Sequence, residues 1–321
     1  MARKNLIVVG NGMASLRFLE ELLSVAPDRF AITVIGSEPD PAYNRVLLSP
    51  LLAGEITADD VAMKPRSWYA ENDITLMTGV DVKSLNARKR SARLATGETI
   101  AFDVCVLATG SEAIRLDMPG AKAAGVEVFR SLADISRIID GAGKGPGAVV
   151  IGGGLLGIEA AYGLRLAGAN VSLIHVMDRL MERQLDAIGG ALLRSALEAK
   201  GISVVLNAAS ECIEGTTSVT ALTFKDGSRI PASLVVMAVG VKPRIDLAAG
   251  AGLNCRRGFI VNNRMETSIS GIYAIGECAE HRGQVYGLVE PAYEQARVAA
   301  RAVCGGEEIY GGTVLATNLK V

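Results

Sequence analysis

Leu6-Ile7-Val8-Val9-Gly10-Asn11-Gly12-Met13-Ala14-Ser15 decides how this chain reads, because the same pattern returns as Val149-Val150-Ile151-Gly152-Gly153-Gly154-Leu155-Leu156-Gly157. Each stretch is an apolar run, then a glycine-rich turn, then the start of a helical pattern. The first glycine (Gly10, Gly152) makes the tight turn, and the second (Gly12, Gly154) lets the backbone approach a pyrophosphate. The third lets the helix pack closely, and here the copies differ: Gly157 stands in the second, Ser15 in the first, a small residue that fits with less room. The helix N-terminus offers unpaired N–H groups and the positive end of its dipole to phosphate. A single motif of this kind arises by chance. Two of them, each between a strand and a helix, imply two dinucleotides, most economically a nicotinamide and a flavin exchanging electrons.

Outward from the first turn, Leu16, Leu19, Leu22 and Leu23 recur at helical spacing and a second strand follows at Ala31-Ile32-Thr33-Val34-Ile35. A later strand, Phe102-Asp103-Val104-Cys105-Val106-Leu107, ends in Ala108-Thr109-Gly110. After Pro119-Gly120 and a helical stretch over 135–139, the second turn leads to a helix with Ile158, Ala161, Leu164 and Leu166, and then to the strand Asn170-Val171-Ser172-Leu173-Ile174. Its later strand, Leu234-Val235-Val236-Met237-Ala238-Val239, ends at Gly240. The chain therefore reads as an α/β protein with two Rossmann-like domains, the second inserted in the first. The expected limits are 1–118 and 245–305 for a discontinuous FAD domain, 119–244 for an NAD(P)H domain, and 306–321 for a further C-terminal segment.

The 321 residues allow two or three domains of roughly 100–200 residues each. Half of the residues are apolar, 21% are charged, and the formal charge is −1, which favours neither nucleic acid nor an anionic membrane as partner. The apolar runs are far shorter than the roughly 18 residues of a membrane span. The first strand begins almost at the N-terminus, leaving no room for a signal peptide, so the expected location is cytoplasmic. Five scattered cysteines form no C-x-x-C pair and read as reduced thiols, and two distant histidines beside no cysteine cluster give no metal site.

An acid after the second strand should hold the adenosine ribose. In the first copy Glu38 is the candidate, with a solvated loop acid as its other reading. In the second copy the position falls to His175, which reads either as a nucleotide-site residue or as a packed strand-end residue, and which leaves NADH and NADPH both open. Glu290-Pro291 opens a late helix, with Pro291 suited to its first position and the N-terminal dipole suited to an anionic reduced flavin.

The fingerprints, Ala108-Thr109-Gly110-Ser111 and Ile272-Tyr273-Ala274-Ile275-Gly276-Glu277 make the chain resemble the FAD-dependent pyridine nucleotide reductases, which include ferredoxin and rubredoxin reductases. Three narrower stretches are similar to the N-terminal flavin module of the assimilatory NAD(P)H nitrite reductase large subunit: Pro41-Ala42-Tyr43-Asn44-Arg45-Val46-Leu47-Leu48-Ser49, Leu180-Met181-Glu182-Arg183-Gln184-Leu185-Asp186, and Gly276-Glu277-Cys278-Ala279-Glu280-His281-Arg282-Gly283. The resemblance implies a glutathione-reductase-like fold lacking its C-terminal interface domain, whose opening residues 313–321 resemble, so that the chain reads as a fragment. It implies that Arg45 binds the FAD pyrophosphate, that Val80 meets the adenine through its backbone, that Arg130 lies along the FAD, and that Gly276 and Glu277 hold the ribityl side. It also implies that Glu159 is the acid meeting the nicotinamide, against a plain reading as an exposed first-turn helix acid. Related ferredoxin reductases have a lysine where this chain has Pro50.

Disulfide reductases and peroxidases of this kind need cysteine beside the flavin, where this chain has Tyr43-Asn44-Arg45. Cys278 reads either as a reactive thiol or as a small buried residue. The implied function is hydride transfer from NAD(P)H to FAD with onward passage to an iron–sulfur or sirohaem acceptor in nitrite reduction. The alternatives are a stand-alone NADH:rubredoxin or ferredoxin reductase, and an FAD/NAD(H)-binding redox sensor with little turnover. The oligomeric state stays open.

Overall fold

A computed structural model describes residues 3–314 and 319. The chain divides into two compact units, one formed among the described residues by 3–44, 62–112 and 242–314, the other by 45–61 and 113–241. The C-terminal residues 315–318 and 320–321, part of the segment expected to open a further domain, lie outside the described residues.

In the first unit, five parallel strands lie in the order Ile272–Ala274, Val104–Leu107, Lys4–Val9, Phe30–Gly36, Ile74–Thr78. Such strands are covered on both faces, which is why they read as continuous apolar runs. Leu6, Val8, Val106 and Leu107 are fully buried. Helix Met13–Val25 sends Leu16, Phe18, Leu19 and Leu22 inward, all at zero exposure, each burial stabilising by about 1.5–3 kcal/mol. It packs on helix Val289–Val303. A three-stranded antiparallel meander, Val82–Asn86, Ser91–Leu94 and Thr99–Ala101, completes the unit.

The second unit repeats this plan. Its parallel strands run Ile202–Val205, Val171–Ile174, Ala148–Ile151, Leu234–Met237, Val126–Val128, with a matching meander of Ser210–Glu214, Ala221–Phe224 and Arg229–Pro231. One strand differs in chain order: the edge strand beside Leu234–Met237 precedes the glycine turn, whereas its counterpart Ile272–Ala274 comes last in the first unit. Helix Leu155–Leu166 buries Ile158, Ala160, Ala161 and Leu164 completely, while Leu166 is exposed at the helix end. The short helix Leu48–Leu52 packs against it at Gly163, where a Cβ would come within 2.9 Å of Leu52 Cγ. This contact explains why 45–61 groups with the second unit.

Pro291 is not the first residue of its helix. The helix starts at Val289, with Leu288 as cap, so Pro291 is third. Its missing N–H is still among the first-turn donors that have no intrahelical acceptor, so the position tolerates it.

Candidate functional site

Both glycine turns have the geometry that their spacing predicts. Gly10 has φ +108° and a Cβ there would fall 2.0 Å from the Ala108 carbonyl oxygen; Gly152 has φ +125°, and the same atom would fall 2.3 Å from the Ala238 oxygen. Each turn thus presses against the end of the neighbouring strand of its own sheet, at Ala108-Thr109-Gly110 in one unit and Ala238-Val239-Gly240 in the other. No L side chain satisfies both the left-handed backbone and the contact. Gly12 and Gly154 behave oppositely, since a Cβ on either meets nothing within 4 Å. These two glycines cap helices Met13–Val25 and Leu155–Leu166 without any side-chain cap bond. Helices Leu132–Gly141 and Ala187–Ala199, in contrast, are capped by Ser131 with Asp134 and by Asp186. Open space in front of uncapped donors, at Gly12-Met13-Ala14 and at Gly154-Leu155-Leu156, fits a phosphate chain in each unit.

The third positions differ as their residues suggest. Ser15 is fully buried and its Oγ donates to the Gly12 carbonyl at 2.8 Å. At Gly157 a Cβ would stand 1.8 Å from the Gly152 carbonyl oxygen, so only glycine is accommodated.

Glu38 is partly buried and accepts a 2.7 Å hydrogen bond from Tyr43 Oη, which removes the reading as a solvated loop acid. Val80 N–H donates to the Gly36 carbonyl at 2.9 Å. At the C-terminal ends of the first unit's strands, Ser111 Oγ donates to Glu277 at 2.6 Å and Thr109 Oγ1 donates to the Arg244 carbonyl at 2.7 Å. Gly276, φ +76°, lies 3.1 Å from Ala14 by its would-be Cβ, and its N–H is taken by the buried Gln295 side chain. Glu290 is exposed in the first turn of its helix. Gly110 has φ +66° with open space before it.

Arg45, Arg130, Glu159, His175 and Gly240 all belong to the second unit, as does the turn at 152–157. Arg45 Nη1 donates to the Arg130 carbonyl at 3.0 Å. Glu159 is 5% exposed and accepts from Ser49 Oγ, so it is not the exposed helix acid of the plainer reading. Gly240, φ +115°, is exposed. His175 is held at both ring nitrogens: Gly153 N–H donates to Nδ1 at 3.1 Å, and Nε2 lies 3.0 Å from Glu182 Oε2. Burial pushes the Glu182 carboxyl up, but its own backbone N–H and the His175 contacts outweigh this and hold it below the usual range. Cys278 is fully buried, and burial raises its thiol against weaker opposing hydrogen bonds at Thr109 and Gly110, so it behaves as a small core residue.

Sequence reasoning missed Ser49, Glu182 and Tyr43 as partners. All three lie inside stretches that carried the family resemblance, but only folding reveals what each touches.

The model of the pyridine nucleotide-disulphide oxidoreductases matches residues 4–302. The chain belongs to that family. With membership come the family's cofactors, FAD and NADH or NADPH, and its general chemistry of oxidoreduction between them. A nitrite reductase [NAD(P)H] of Bacillus subtilis (strain 168) is 48% identical over 322 residues, covering all of this chain and 40% of the relative. The assimilatory nitrate reductase electron transfer subunit of the same organism is 43% identical, again over the whole chain and over 42% of its own length. The crystal structure of NADH:rubredoxin oxidoreductase from Clostridium acetobutylicum superposes with a TM-score of 0.86 at 32% identity, covering 100% of this chain and 80% of that one. The chain spans about two fifths of the two Bacillus relatives, 40% and 42%. Despite the family name, all five cysteines are unpaired. No helix among the described residues is long and apolar enough to cross a membrane.

Proposed function

We propose that this chain is the electron-input module of a cytoplasmic nitrite-reducing system, taking hydride from NAD(P)H onto FAD and passing electrons to an iron–sulfur or sirohaem acceptor. The observation that carries the reading is the 48% identity along the entire chain to a nitrite reductase, against 32% to an NADH-rubredoxin oxidoreductase. Bound FAD supplies a centre that accepts two electrons together and releases them singly.

The FAD domain is assigned to 1–118 and 245–305 and the NAD(P)H domain to 119–244, as read from sequence; the compact units differ mainly in grouping 45–61 and 113–118 with the second. Backbone donors at Gly12, Met13, Ala14 and Ser15 hold one pyrophosphate, and Gly154, Leu155, Leu156 and Gly157 hold the other. Glu38, oriented by Tyr43, accepts from the ribose hydroxyls of FAD. Glu277, oriented by Ser111, serves the ribityl side, with Gly276, Ala108, Thr109 and Gly110 shaping the approach. Arg45 and Arg130 supply positive charge to the FAD phosphates and Val80 its carbonyl to the adenine. Glu290, in the first turn of its helix, lies where the helix dipole favours negative charge, and that dipole stabilises reduced flavin. Glu159, fixed by Ser49, orients the nicotinamide carboxamide, and Gly240 borders the same nucleotide. Tyr43-Asn44-Arg45, standing where disulfide reductases of this kind carry cysteine, supports electrons leaving to an external acceptor rather than through a disulfide.

The test is anaerobic reduction of the flavin-loaded protein by NADH, followed by mixing with the sirohaem and iron–sulfur module of a nitrite reductase and, separately, with rubredoxin. Reduction of the sirohaem module at least as fast as of rubredoxin is expected. Electron delivery to rubredoxin alone would reassign the chain to the stand-alone reductases, and flavin that NADH leaves oxidised would favour the sensor.

A further inference from the structure

The strand that follows the second unit's glycine turn and helix, Val171–Ile174, ends at Ile174, and the next residue, His175, occupies the place where an acid is expected to meet a ribose 2′-hydroxyl. His175 has no ring nitrogen to offer. Nδ1 accepts the Gly153 N–H, so in the neutral ring the proton sits on Nε2 and is donated to Glu182 Oε2 at 3.0 Å. Its side chain is only 11% exposed, whereas that of Glu182 is 23% exposed.

The backbone folds to bring this carboxylate back. Met181 has φ +49°, a conformation costly for a non-glycine residue, and its N–H donates to the Gly153 carbonyl at 2.9 Å. Leu180 beside it is fully buried. Gly153 is therefore clamped at its N–H by His175 and at its carbonyl by Met181, and the loop that supplies both ends in Glu182. The carboxylate is fixed beside the glycine turn, seven residues after the position where an acid is normally sought.

We infer that Glu182, positioned by His175, meets the adenosine ribose of the nicotinamide nucleotide and selects NADH by rejecting a 2′-phosphate. This rests on the reading of 149–157 as the nicotinamide nucleotide site. A carboxylate accepts hydrogen bonds from two ribose hydroxyls and repels a phosphate dianion. The nearest cations do not reverse that preference. Arg179 is engaged with Asp178 and the Leu185 carbonyl, and Arg183, 86% exposed, reaches Glu182 Oε1 only at 3.8 Å. Loss of the Glu182 charge leaves Arg183 uncompensated, so a single substitution removes the repulsion and provides a phosphate partner.

The experiment is calorimetric titration of the flavin-loaded protein with ADP-ribose and with its 2′-phosphorylated form, which bind without transferring hydride. The wild type is expected to prefer ADP-ribose. Glu182→Gln is expected to narrow that preference by roughly tenfold or more, chiefly through tighter binding of the phosphorylated probe. His175→Glu in the Glu182→Gln background, which returns an acid to the strand end, is expected to restore it. A merely structural role for Glu182 would weaken both probes in parallel, and that result would overturn the inference, as would equal affinity of the wild type for both. If neither probe binds the wild type, the assignment of the site itself fails before any variant is compared.

Discussion

In the first unit the residue between the two leading glycines is Asn11, and the equivalent of the strand-end position is Gly36; in the second unit these are Gly153 and His175. A Cβ on Gly36 would come within 2.9 Å of Asn11 Cβ, and one on Gly153 within 2.6 Å of His175 Cγ. The same gap is filled from opposite sides. One unit puts the larger group on the turn and the other puts it on the strand. The choice goes with different acids beside the two turns: Glu38 lies two residues beyond Gly36, whereas His175 bonds the turn and pairs with Glu182, seven residues on. The third turn position shows a second asymmetry, with a serine fitting in one copy and no Cβ at all in the other.

The largest expected effect tests that second asymmetry. Gly157→Ser sets its Cβ against a backbone oxygen that no rotamer change can move, so the loss of stability should exceed about 3 kcal/mol, beyond ordinary overpacking. The reverse change in the other copy, Ser15→Gly, forfeits one hydrogen bond and some helix propensity and should cost about 1–2 kcal/mol. Thermal or urea unfolding of the two variants compares them directly, and similar losses would erase the distinction between the turns.

The gap-filling exchange predicts coupling. Gly153→Asn alone should destabilise by about 1–3 kcal/mol through its clash with His175. Adding His175→Gly, which recreates the first unit's arrangement, should recover part of this, with a coupling of about 0.5–3 kcal/mol in a double-mutant cycle. Strict additivity would mean that the two positions do not share the gap. Ser49→Ala should cost about 1–3 kcal/mol, because the buried Glu159 loses a donor that holds it. Glu159→Gln, which keeps an acceptor, should cost less.

The chain's two histidines offer a smaller contrast. His281 in the first unit is 1% exposed, Nε2 pairs with Asn263 Oδ1 at 2.9 Å, and the ring tilts over Tyr310. Burial, then Arg282, lowers its affinity for a proton below the ordinary value of 6.5. The unfolded chain binds that proton more readily, so the contribution is complete above about pH 6.5 and is lost as pH falls from there toward the depressed folded value. His281→Gln should flatten the stability profile between pH 5 and 7, by urea denaturation. An unchanged profile would assign the slope elsewhere. Smallest of all, Pro291→Ala should lie within about 0.5 kcal/mol, since the third helical position has no intrahelical N–H bond to regain.

The sheets were legible because parallel strands buried on both faces are unbroken apolar runs, and Leu6-Ile7-Val8-Val9 and Leu234-Val235-Val236-Met237 carry that signal plainly. The glycine turns were legible because Gly10 and Gly152 are dictated by local backbone geometry. What escaped depends on the chain folding back. Ser49 meets Glu159 from 110 positions away, and Glu182 reaches His175 only because Met181 adopts a left-handed conformation that nothing in its side chain announces. Residues 45–61 group with the second unit through helix packing at Gly163, a contact between segments distant in sequence. The start of the last helix was displaced by two residues because proline fits anywhere in a first turn, not only at its opening.

The central claim is that the paired turns hold two dinucleotides that exchange electrons. Anaerobic titration of the FAD-loaded protein with NADH, followed through the visible flavin band, tests it most directly. The account predicts a stoichiometric bound flavin that bleaches fully with one equivalent of NADH. A protein that takes up no FAD, or one whose bound flavin stays oxidised under excess NADH and NADPH, would contradict it.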